Sequence, residues 1–264
     1  MKHLKALAMA AVAVIAIGAG STAARADLVF ATDAAPYPPF TSQNAAGEWE
    51  GWEYDLLQAL CAEMNEKCTL IAVAWDGIIP ALLEKKMDGI FGSMSITPER
   101  QKQINFSDMY YNSASVIIGP KGGSKDITPE ALKGKTIGAQ ASTTHANYTE
   151  KYFVPAGATL KTYKGQDEAN ADLAAGRLDA VQADGVTLGN FLASPEGACC
   201  ELYGAVPVDV EVLGPGVGVG LRKEDTALLE KINAAIKSAA NKGIFEELTK
   251  KYKLDGLLTL PPKG

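Results

Sequence analysis

The stretch GSMSITPER, residues 92–100, combines two serine hydroxyls, a Thr-Pro helix start and an arginine. Proline is favoured at the first helical position because the amide it lacks would have no partner inside the helix. Arg100 then falls in the first turn, where a cation opposes the helix dipole unless an anion completes the site. Its guanidinium, together with Ser93, Ser95 and the free amides of that turn, could bind a carboxylate through parallel hydrogen bonds. The alternative is a structural ion pair between Arg100 and a nearby Asp or Glu.

Two aspartates and two aromatic residues could complete such a site. Asp33 and Asp184 each follow a short apolar run, and carboxylates there can receive ammonium or guanidinium groups. Tyr37 and Trp75 lie close by in the sequence, although a single aromatic residue more often belongs to the core. As a set they predict a site for a zwitterion: Arg100 for its carboxylate, Asp184 for its amino group and the aromatic rings for its side chain.

Strands and helices alternate along the chain and must position these residues. LVFAT and TLIAVAW read as strands, and EYDLLQALCAEMNEK has the apolar spacing of an amphipathic helix. Asp76 is expected to start a helix in DGIIPALLEKK, and Ser142 or Thr143 to cap one that runs to about Phe153. GPGVGVGLRKED reads as a crossing segment followed by a strand, and two helical segments separated by Gly243 follow it. The fold class is therefore α/β, with a largely parallel sheet.

Two distant segments share one pattern: LLEKKMDGIFGS, residues 82–93, and LAAGRLDAVQAD, residues 173–184. Each reads as a helix end, an aspartate, a short aliphatic strand and a polar residue. Ser93 follows Asp88 by the same number of positions as Asp184 follows Asp179. Any two αβ units could share this pattern by chance. The other interpretation is two similar lobes, each presenting the end of a strand to a common cleft.

Residues 1–26 have the features of a secretory signal peptide: Lys2 and Lys5, an Ala-rich apolar run, and small residues before a cleavage site near Ala26. Removing them takes away three basic residues and no acidic one, so the formal charge changes from −6 to −9. An acidic exported chain without basic clusters argues against nucleic acid and anionic lipid as partners. The exported protein is expected to be soluble and periplasmic.

Catalytic and metal-binding motifs are scarce. The chain has 2 histidines, His3 and His145, and it lacks HExxH, GxSxG, P-loop and paired CxxC motifs. We expect His145 to be an exposed helix residue, and we expect no metal and no cofactor. Among 4 cysteines, Cys61 and Cys68 flank a helix end and are expected to pair. Cys199 and Cys200 are adjacent and are not expected to join each other, because the ring would be strained.

Several motifs together resemble the periplasmic polar amino-acid-binding proteins of ABC importers, in particular the branch that binds lysine/arginine/ornithine, histidine and opines. They are YPPF, GWEYDLLQALC, WDGIIPALLEKKMDGIFGSMSITPERQKQINFSD, STT, GRLDAVQAD and VGVGLRKED. The resemblance covers essentially the whole exported chain. It implies a type II periplasmic binding protein: two α/β lobes joined by a two-strand hinge, with the ligand cleft between them. The implied division is signal peptide 1–26, first lobe 27–111, second lobe 112–211, and first lobe again 212–264.

The resemblance also implies a role for each site residue. Arg100 and Thr143 hold the ligand carboxylate; Ser93, Ser95 and Asp184 hold the amino group; Tyr37 and Trp75 sandwich the side chain; Asp33 meets its distal cation; and Ser142 and Thr144 line the opposite lobe. Cys61 and Cys68 match a disulfide common in this branch. This chain departs from the family pattern at four positions. It has Gly92 where serine is frequent, Ala139 where leucine is common, Glu53 where aspartate is usual and Thr144 where glutamine often occurs. Smaller wall residues could give a roomier pocket.

The implied function is capture of a cationic L-amino acid of the arginine, lysine or ornithine type and delivery to a membrane ABC permease, by a monomer without catalytic activity. One alternative is an opine- or histidine-binding protein of the same family. Another is a small carboxylate-processing enzyme of dehydratase type on the same scaffold, which would need a general acid or base in the cleft. Its candidates are Asp33, Glu53 and Asp184.

Overall fold

The computed structural model describes residues 27–264, so the predicted signal peptide lies outside the described residues. Its strands are β1 Leu28–Asp33, β2 Ser42–Gln43, β3 Trp49–Glu50, β4 Cys68–Val73, β5 Gly89–Ile90, β6 Asn105–Phe106, β7 Ser115–Pro120, β8 Thr136–Gln140, β9 Thr159–Tyr163, β10 Ala180–Asp184, β11 Cys200–Ala205 and β12 Gly220–Leu221. Its α-helices are α1 Trp52–Glu63, α2 Ile78–Leu83, α3 Pro98–Gln101, α4 Thr144–Tyr152, α5 Gln166–Ala174, α6 Gly185–Leu192, α7 Val210–Leu213, α8 Thr226–Lys242 and α9 Ile244–Lys251. None of the helices in residues 27–264 is long and apolar enough to span a bilayer.

Two five-stranded sheets organise the two lobes, and they share one topology. The first has the order β4-β1-β5-β12-β6, and the second, taken from its opposite edge, has the order β9-β8-β10-β7-β11. In each, the first three strands are parallel and the fourth runs antiparallel to the third. The α/β class and the two-lobed architecture predicted from the sequence are confirmed.

The repeated sequence pattern performs the same task in both lobes. Asp88 accepts a hydrogen bond from the Val29 amide at 2.8 Å, and Asp179 accepts one from the Thr136 amide, also at 2.8 Å. Each aspartate precedes the third strand of its sheet and satisfies an amide at the start of the neighbouring strand. The similarity of the two segments therefore reflects equivalent positions in two like sheets.

The chain passes from the first sheet to the second between Phe106 and Ser115, and it returns between Ala205 and Gly220. Near the end of the chain, Thr259 pairs with Asn112 through two backbone hydrogen bonds of 2.8 Å, so a C-terminal segment also lies against the first crossing. β12 joins the first sheet, as the crossing-then-strand interpretation requires. The exact lobe boundaries at 111 and 211 stay a prediction.

The first lobe buries its helices α1, α8 and α9 together. The apolar stripe of α1 supplies Leu56, Leu57 and Leu60 to a core shared with Phe245 of α9. Gly243, with φ of 77°, separates α8 from α9 in the left-handed conformation that glycine adopts without strain. Helix α2 differs from expectation: Asp76 lies in a 3₁₀ turn, Trp75–Gly77, and Gly77 is the N-cap residue.

The cysteines form two disulfides. Cys61 and Cys68 are joined, with Cα atoms 6.1 Å apart, which confirms the predicted link between the end of α1 and the start of β4. The expectation that Cys199 and Cys200 would not join each other is wrong, because the structure links them. Cys199 is the last residue of a 3₁₀ turn, Glu196–Cys199, and Cys200 is the first residue of the extended strand β11, so the bond lies where the backbone changes from turn to strand.

Candidate ligand-binding site

Arg100 lines the cleft between the sheets. Thr97 caps the short helix α3 by accepting the Arg100 amide at 3.3 Å, as the Thr-Pro start predicts. The guanidinium donates to the carbonyl of Ser95 at 2.9 Å and to that of Ser142, in the second lobe, at 3.1 Å. It also lies over the Trp75 ring, 5.5 Å from the ring centre.

Charge makes this arginine unusual. No Asp or Glu of residues 27–264 forms an ion pair with Arg100, so the structural ion pair considered from the sequence has no counterpart there. Burial lowers the pKa of Arg100 to about 10, which still leaves it charged at neutral pH. A desolvated cation with only neutral partners is a strong candidate to bind an anion.

Ser93 and Ser95 follow β5 in the first lobe. Ser93 has φ of 54°, a conformation that is uncommon for a residue other than glycine. Its amide and hydroxyl both donate to Glu53, at 2.7 and 2.8 Å. Glu53 is fully buried and also accepts the Tyr110 hydroxyl at 2.5 Å. Burial, with a smaller contribution from the charge of Asp184, raises the pKa of Glu53 to about 7, although the hydrogen bonds from Tyr110 and Ser93 oppose the rise.

Asp33 lies at the end of β1, on the first-lobe side of the cleft. Its carboxylate accepts a hydrogen bond from the side-chain amide of Gln140, which belongs to the second lobe, and another from the Ala35 amide at 3.2 Å. Gln140 also donates to the Lys164 carbonyl at 2.9 Å, which fixes its orientation. Burial raises the pKa of Asp33, although these hydrogen bonds oppose the rise. A cation brought to Asp33 would therefore replace or join a neutral donor.

Asp184 is the last residue of β10, the third strand of the second sheet. Its position corresponds to the segment after β5, the third strand of the first sheet. One carboxylate oxygen caps α6 by accepting the Val186 and Thr187 amides at 2.8 and 3.3 Å. The other oxygen accepts the Ser113 hydroxyl. Burial raises the pKa of Asp184, because these neutral donors only partly replace water.

The second lobe contributes the loop after β8 and the first turn of α4. Thr143, one of the two caps predicted from the sequence, caps α4 by accepting the Ala146 amide at 3.1 Å. Ser142, with φ of 60°, directs its carbonyl to Arg100 and to Trp75, whose ring nitrogen donates at 3.2 Å. The Thr144 and Ser95 hydroxyls lie 3.5 Å apart across the cleft. These contacts join the lobes in a closed arrangement.

His145 differs from expectation. Instead of being an exposed helix residue, it is half-buried, lines the cleft and bonds through Nδ1 to the Ser115 hydroxyl at 2.9 Å. Burial and, to a smaller extent, the positive charge of Arg100 lower the pKa of His145 to about 4. The imidazole is therefore neutral at pH 7.

Two adjoining cavities occupy the cleft. The first is lined by Thr32, Asp33, Tyr37, Thr41, Trp75, Gly92, Ser93, Ser95, Arg100, Gln140, Thr143, Thr144 and His145. The second lies toward the chain crossings, and Asp184, Tyr111, Ser113 and Ser115 are among its walls. Tyr37, Ser93, Ser95, Thr144 and His145 border both cavities.

Most of the residues predicted for the site line one of these cavities, but three do not: Glu53, Ala139 and Ser142. Glu53 is buried behind Ser93, and Ala139 is fully buried in the second sheet. The sequence argument missed Thr32, Thr41, Gln140 and His145 as lining residues. Gln140 is the last residue of its strand, the kind of position that had singled out Asp184, so the same signal could have found it.

Gly92 lines the cavity beside Thr32, whose side chain occupies the adjoining space. A Cβ atom added at Gly92 would lie 2.4 Å from the Thr32 hydroxyl and 3.1 Å from its Cα. The departure from the usual serine is thus matched to a neighbouring β-branched residue. The first lobe presents the Thr32 side chain where a Gly92 side chain would otherwise project.

This arrangement of two like sheets around a polar cleft is accompanied by a family match over residues 28–255, to the bacterial extracellular solute-binding proteins, family 3. The chain belongs to that family. A relative of this family 3 protein is the histidine-binding periplasmic protein of Escherichia coli (strain K12), 39% identical over 82% of this chain and 84% of the relative. The L-arginine-binding protein of Pseudomonas aeruginosa is 38% identical over 83% of this chain and 85% of its own.

Solved structures agree with this membership. An ancestral arginine-binding protein bound to arginine superposes on the family 3 protein with a TM-score of 0.80 at 31% identity, covering 86% of this chain and 98% of the other. An ancestral amino acid-binding protein described as a precursor of cyclohexadienyl dehydratase gives 0.75 at 29% identity, covering 86% and 95%. The fold has thus served both for binding and as the starting point of an enzyme.

Proposed function

We propose that this family 3 solute-binding protein is periplasmic, captures a cationic L-amino acid, arginine foremost, and delivers it to an ABC permease. The observation that carries the proposal is the pairing of charges across one cleft. Arg100 has no acidic partner among residues 27–264, while Asp33, in the same cavity, and Asp184, in the adjoining cavity, have neutral donors only. A ligand with one anionic and two cationic groups would satisfy all three charges.

The carboxylate of the ligand belongs at Arg100. The guanidinium can present two parallel N–H groups to a carboxylate, and the amides in the first turn of α4, beyond the Thr143 cap, add donors from the second lobe. The α-ammonium group belongs between the hydroxyls of Ser93 and Ser95 and the carboxylate of Asp184, which border the same cavity. The carboxylate and the α-ammonium group of the ligand then each touch both lobes.

The side chain of the ligand extends toward Asp33. Tyr37 and Trp75 border the first cavity with Asp33, and a guanidinium can stack on an aromatic ring while it pairs with a carboxylate. Arg100 already covers part of Trp75, so the ligand uses the remaining surface of that ring. An apolar side chain would leave the Asp33 carboxylate desolvated and without a cation, which disfavours such ligands.

Binding without chemical transformation fits the state of the ionisable groups. The carboxylates of Asp33, Asp184 and Glu53 are each engaged by hydrogen-bond donors, and His145 is neutral and bonded to Ser115. The relatives named above are binding proteins. Incubating the protein with L-arginine and measuring its recovery by mass spectrometry tests this part, since any loss beyond a protein-free control would indicate an enzyme.

The test of the ligand class is calorimetric titration of protein refolded from denaturant, which removes any ligand carried through purification. L-arginine, L-lysine and L-histidine are compared with citrulline and L-glutamine. Citrulline has nearly the shape of arginine without its charge and is therefore the matched control. We expect arginine to bind most tightly and citrulline at least tenfold more weakly. Tight binding of glutamine without a response to arginine would overturn the cationic-ligand proposal.

A further inference from the structure

His145 is attached to a chain of hydrogen bonds that runs through the second lobe. The Thr149 hydroxyl donates to Gln182 Oε1 at 2.7 Å, and Gln182 Nε2 donates to the Ser115 hydroxyl oxygen at 3.0 Å. Ser115 Oγ in turn lies 2.9 Å from His145 Nδ1. Thr149 and Gln182 are both fully buried, so the chain has little freedom to rearrange.

This chain of hydrogen bonds favours one tautomer of His145. The Gln182 amide already donates to Ser115, so Ser115 still has its own proton to give. Within the described part of the chain, no other acceptor lies within hydrogen-bonding distance of the Ser115 hydroxyl. If Nδ1 donated instead, the Ser115 proton would have no acceptor among the described residues, so donation from Ser115 to His145 Nδ1 is favoured. A neutral imidazole that accepts at Nδ1 carries its own proton on Nε2.

The Nε2–H group has no partner in the described protein, and the ring borders both cavities of the cleft. The burial and the Arg100 charge that lower the pKa of His145 keep the imidazole neutral at pH 7, so it does not repel the neighbouring guanidinium. Two donors, one charged and one neutral, thus lie on opposite lobes at the same part of the cleft.

We propose that His145 is a ligand-binding residue that donates its Nε2–H to a carboxylate oxygen of the bound amino acid, opposite Arg100, and that Ser115 and Gln182 hold it in that tautomer. The proposal rests on the proposed function, and it adds a contact that the sequence argument did not include. Arg100 belongs to the first lobe and His145 to the second, so a carboxylate bound by both would favour the closed arrangement.

Two arms test the proposal. In the first, arginine affinity is measured by calorimetry for wild type, His145→Ala, His145→Gln and the control Asn147→Ala, an exposed change on the same helix. Loss of a hydrogen bond to a charged group should weaken binding about ten- to a hundredfold in His145→Ala. Gln places an amide N–H near the position of Nε2 and should recover much of the loss, whereas Asn147→Ala should match wild type.

Repeating the measurement with L-argininamide, which lacks the carboxylate charge, separates this contact from general damage. The penalty for His145→Ala should be several-fold smaller with the amide than with arginine. Equal penalties for both ligands, or no penalty for either, would overturn the proposal. Failure of wild type to bind any amino acid would instead overturn the proposed function, and this inference with it.

The second arm uses nuclear magnetic resonance of ¹⁵N-histidine, which is simple because His3 and His145 are the 2 histidines of the sequence. Wild type should show a protonated Nε2 and an unprotonated Nδ1, and arginine should shift the Nε2 signal and protect its proton from exchange. In Ser115→Ala the tautomer preference should weaken while the protein still folds. A proton on Nδ1 in wild type, or an Nε2 signal insensitive to saturating arginine, would contradict the assignment.

Discussion

Glu53 holds Ser93 by two hydrogen bonds, from the backbone amide at 2.7 Å and from the hydroxyl at 2.8 Å. Ser93 needs such support, because its φ of 54° is costly for a residue with a side chain. The two residues are far apart in sequence, and Glu53 is fully buried. Glu53 therefore shapes the ligand cleft from behind while not lining it.

The raised pKa of Glu53 predicts a specific pH dependence of stability. Its pKa is 4.5 when unperturbed and about 7 in the folded protein, so between these values the folded state binds more protons than the unfolded state. The contribution of Glu53 to the free energy of unfolding is then largest below about pH 4.5, falls as the pH rises to about 7, and is constant above that value. Urea unfolding of wild type and Glu53→Gln from pH 4 to 8 measures it.

Gln keeps the shape of a protonated glutamate but does not titrate, so the difference between the two proteins isolates Glu53. His145 contributes in the opposite direction below pH 6.5, because its pKa is lowered, but it is common to both proteins and cancels. The free energy of unfolding of wild type, relative to Glu53→Gln, should fall between pH 4.5 and 7. A constant difference across this range would contradict the prediction.

Arg100→Ala should nearly abolish binding of every amino acid ligand while the ligand-free protein remains folded. Removing one partner of a desolvated charge pair costs about 3–5 kcal/mol, or roughly two to four decades of affinity. Because Arg100 has only neutral partners among residues 27–264, its loss leaves no buried acid unpaired in the free protein. Calorimetry gives the affinity and thermal unfolding gives the stability. Unchanged affinity with a large drop in melting temperature would indicate a structural role instead.

Asp33→Asn should weaken cationic ligands selectively. Loss of a charged hydrogen bond is worth about 1.5–3 kcal/mol, so arginine affinity should fall about tenfold or more while citrulline and glutamine change little. Gln140→Ala is the matched variant, because it removes the neutral donor to Asp33 and leaves the carboxylate in place. It should preserve the preference for arginine over citrulline. An equal loss for charged and uncharged ligands in Asp33→Asn would count against Asp33 as the selectivity residue.

The features that could be predicted from sequence are those encoded locally. The helix start at Thr97 and the cap at Thr143 each depend on contacts within a few residues, and both are present. The repeated Asp88 and Asp179 patterns located strand ends in two lobes, because a short motif at equivalent sheet positions has equivalent hydrogen bonds.

The features that could not be predicted depend on contacts between distant segments. Glu53 is held behind the site by Ser93 and Tyr110, and His145 is held in the cleft by a hydrogen bond to Ser115, which also contacts Gln182. No periodicity or spacing records such contacts, so Glu53 was predicted to border the ligand and His145 to be exposed.

The two disulfides should differ in their effect on stability. In the chain-entropy account, a disulfide stabilises by restricting the unfolded chain, and the effect grows with the length of the closed loop. Cys61 and Cys68 are separated by 7 positions, so replacing both by serine should cost about 2–3 kcal/mol. Cys199 and Cys200 are separated by 1 position, so replacing both by serine should lower the free energy of unfolding much less. Urea unfolding of both variants tests the contrast, after mass spectrometry of unreduced peptides has verified the pairing. Equal losses would contradict it.

Gly92 and Thr32 should behave as a coupled pair. A Cβ at residue 92 would approach the Thr32 hydroxyl to 2.4 Å, which real structures do not tolerate, so Gly92→Ser must displace Thr32 or the strand end that carries it. Overpacking of this kind costs about 1–3 kcal/mol, and the displacement would also reach Ser93, the next residue. We expect Gly92→Ser to lower both stability and arginine affinity.

Thr32→Ala alone removes a hydroxyl that lies 3.3 Å from that of Thr41 and should have a smaller effect. Combining the two changes should recover part of the loss, because alanine removes the hydroxyl that makes the 2.4 Å contact, while the Cα and Cβ atoms of residue 32 stay at 3.1 Å. A double-mutant cycle measured by urea unfolding and calorimetry gives the coupling between the residues. Strictly additive effects would show that the missing side chain at Gly92 is not matched to Thr32.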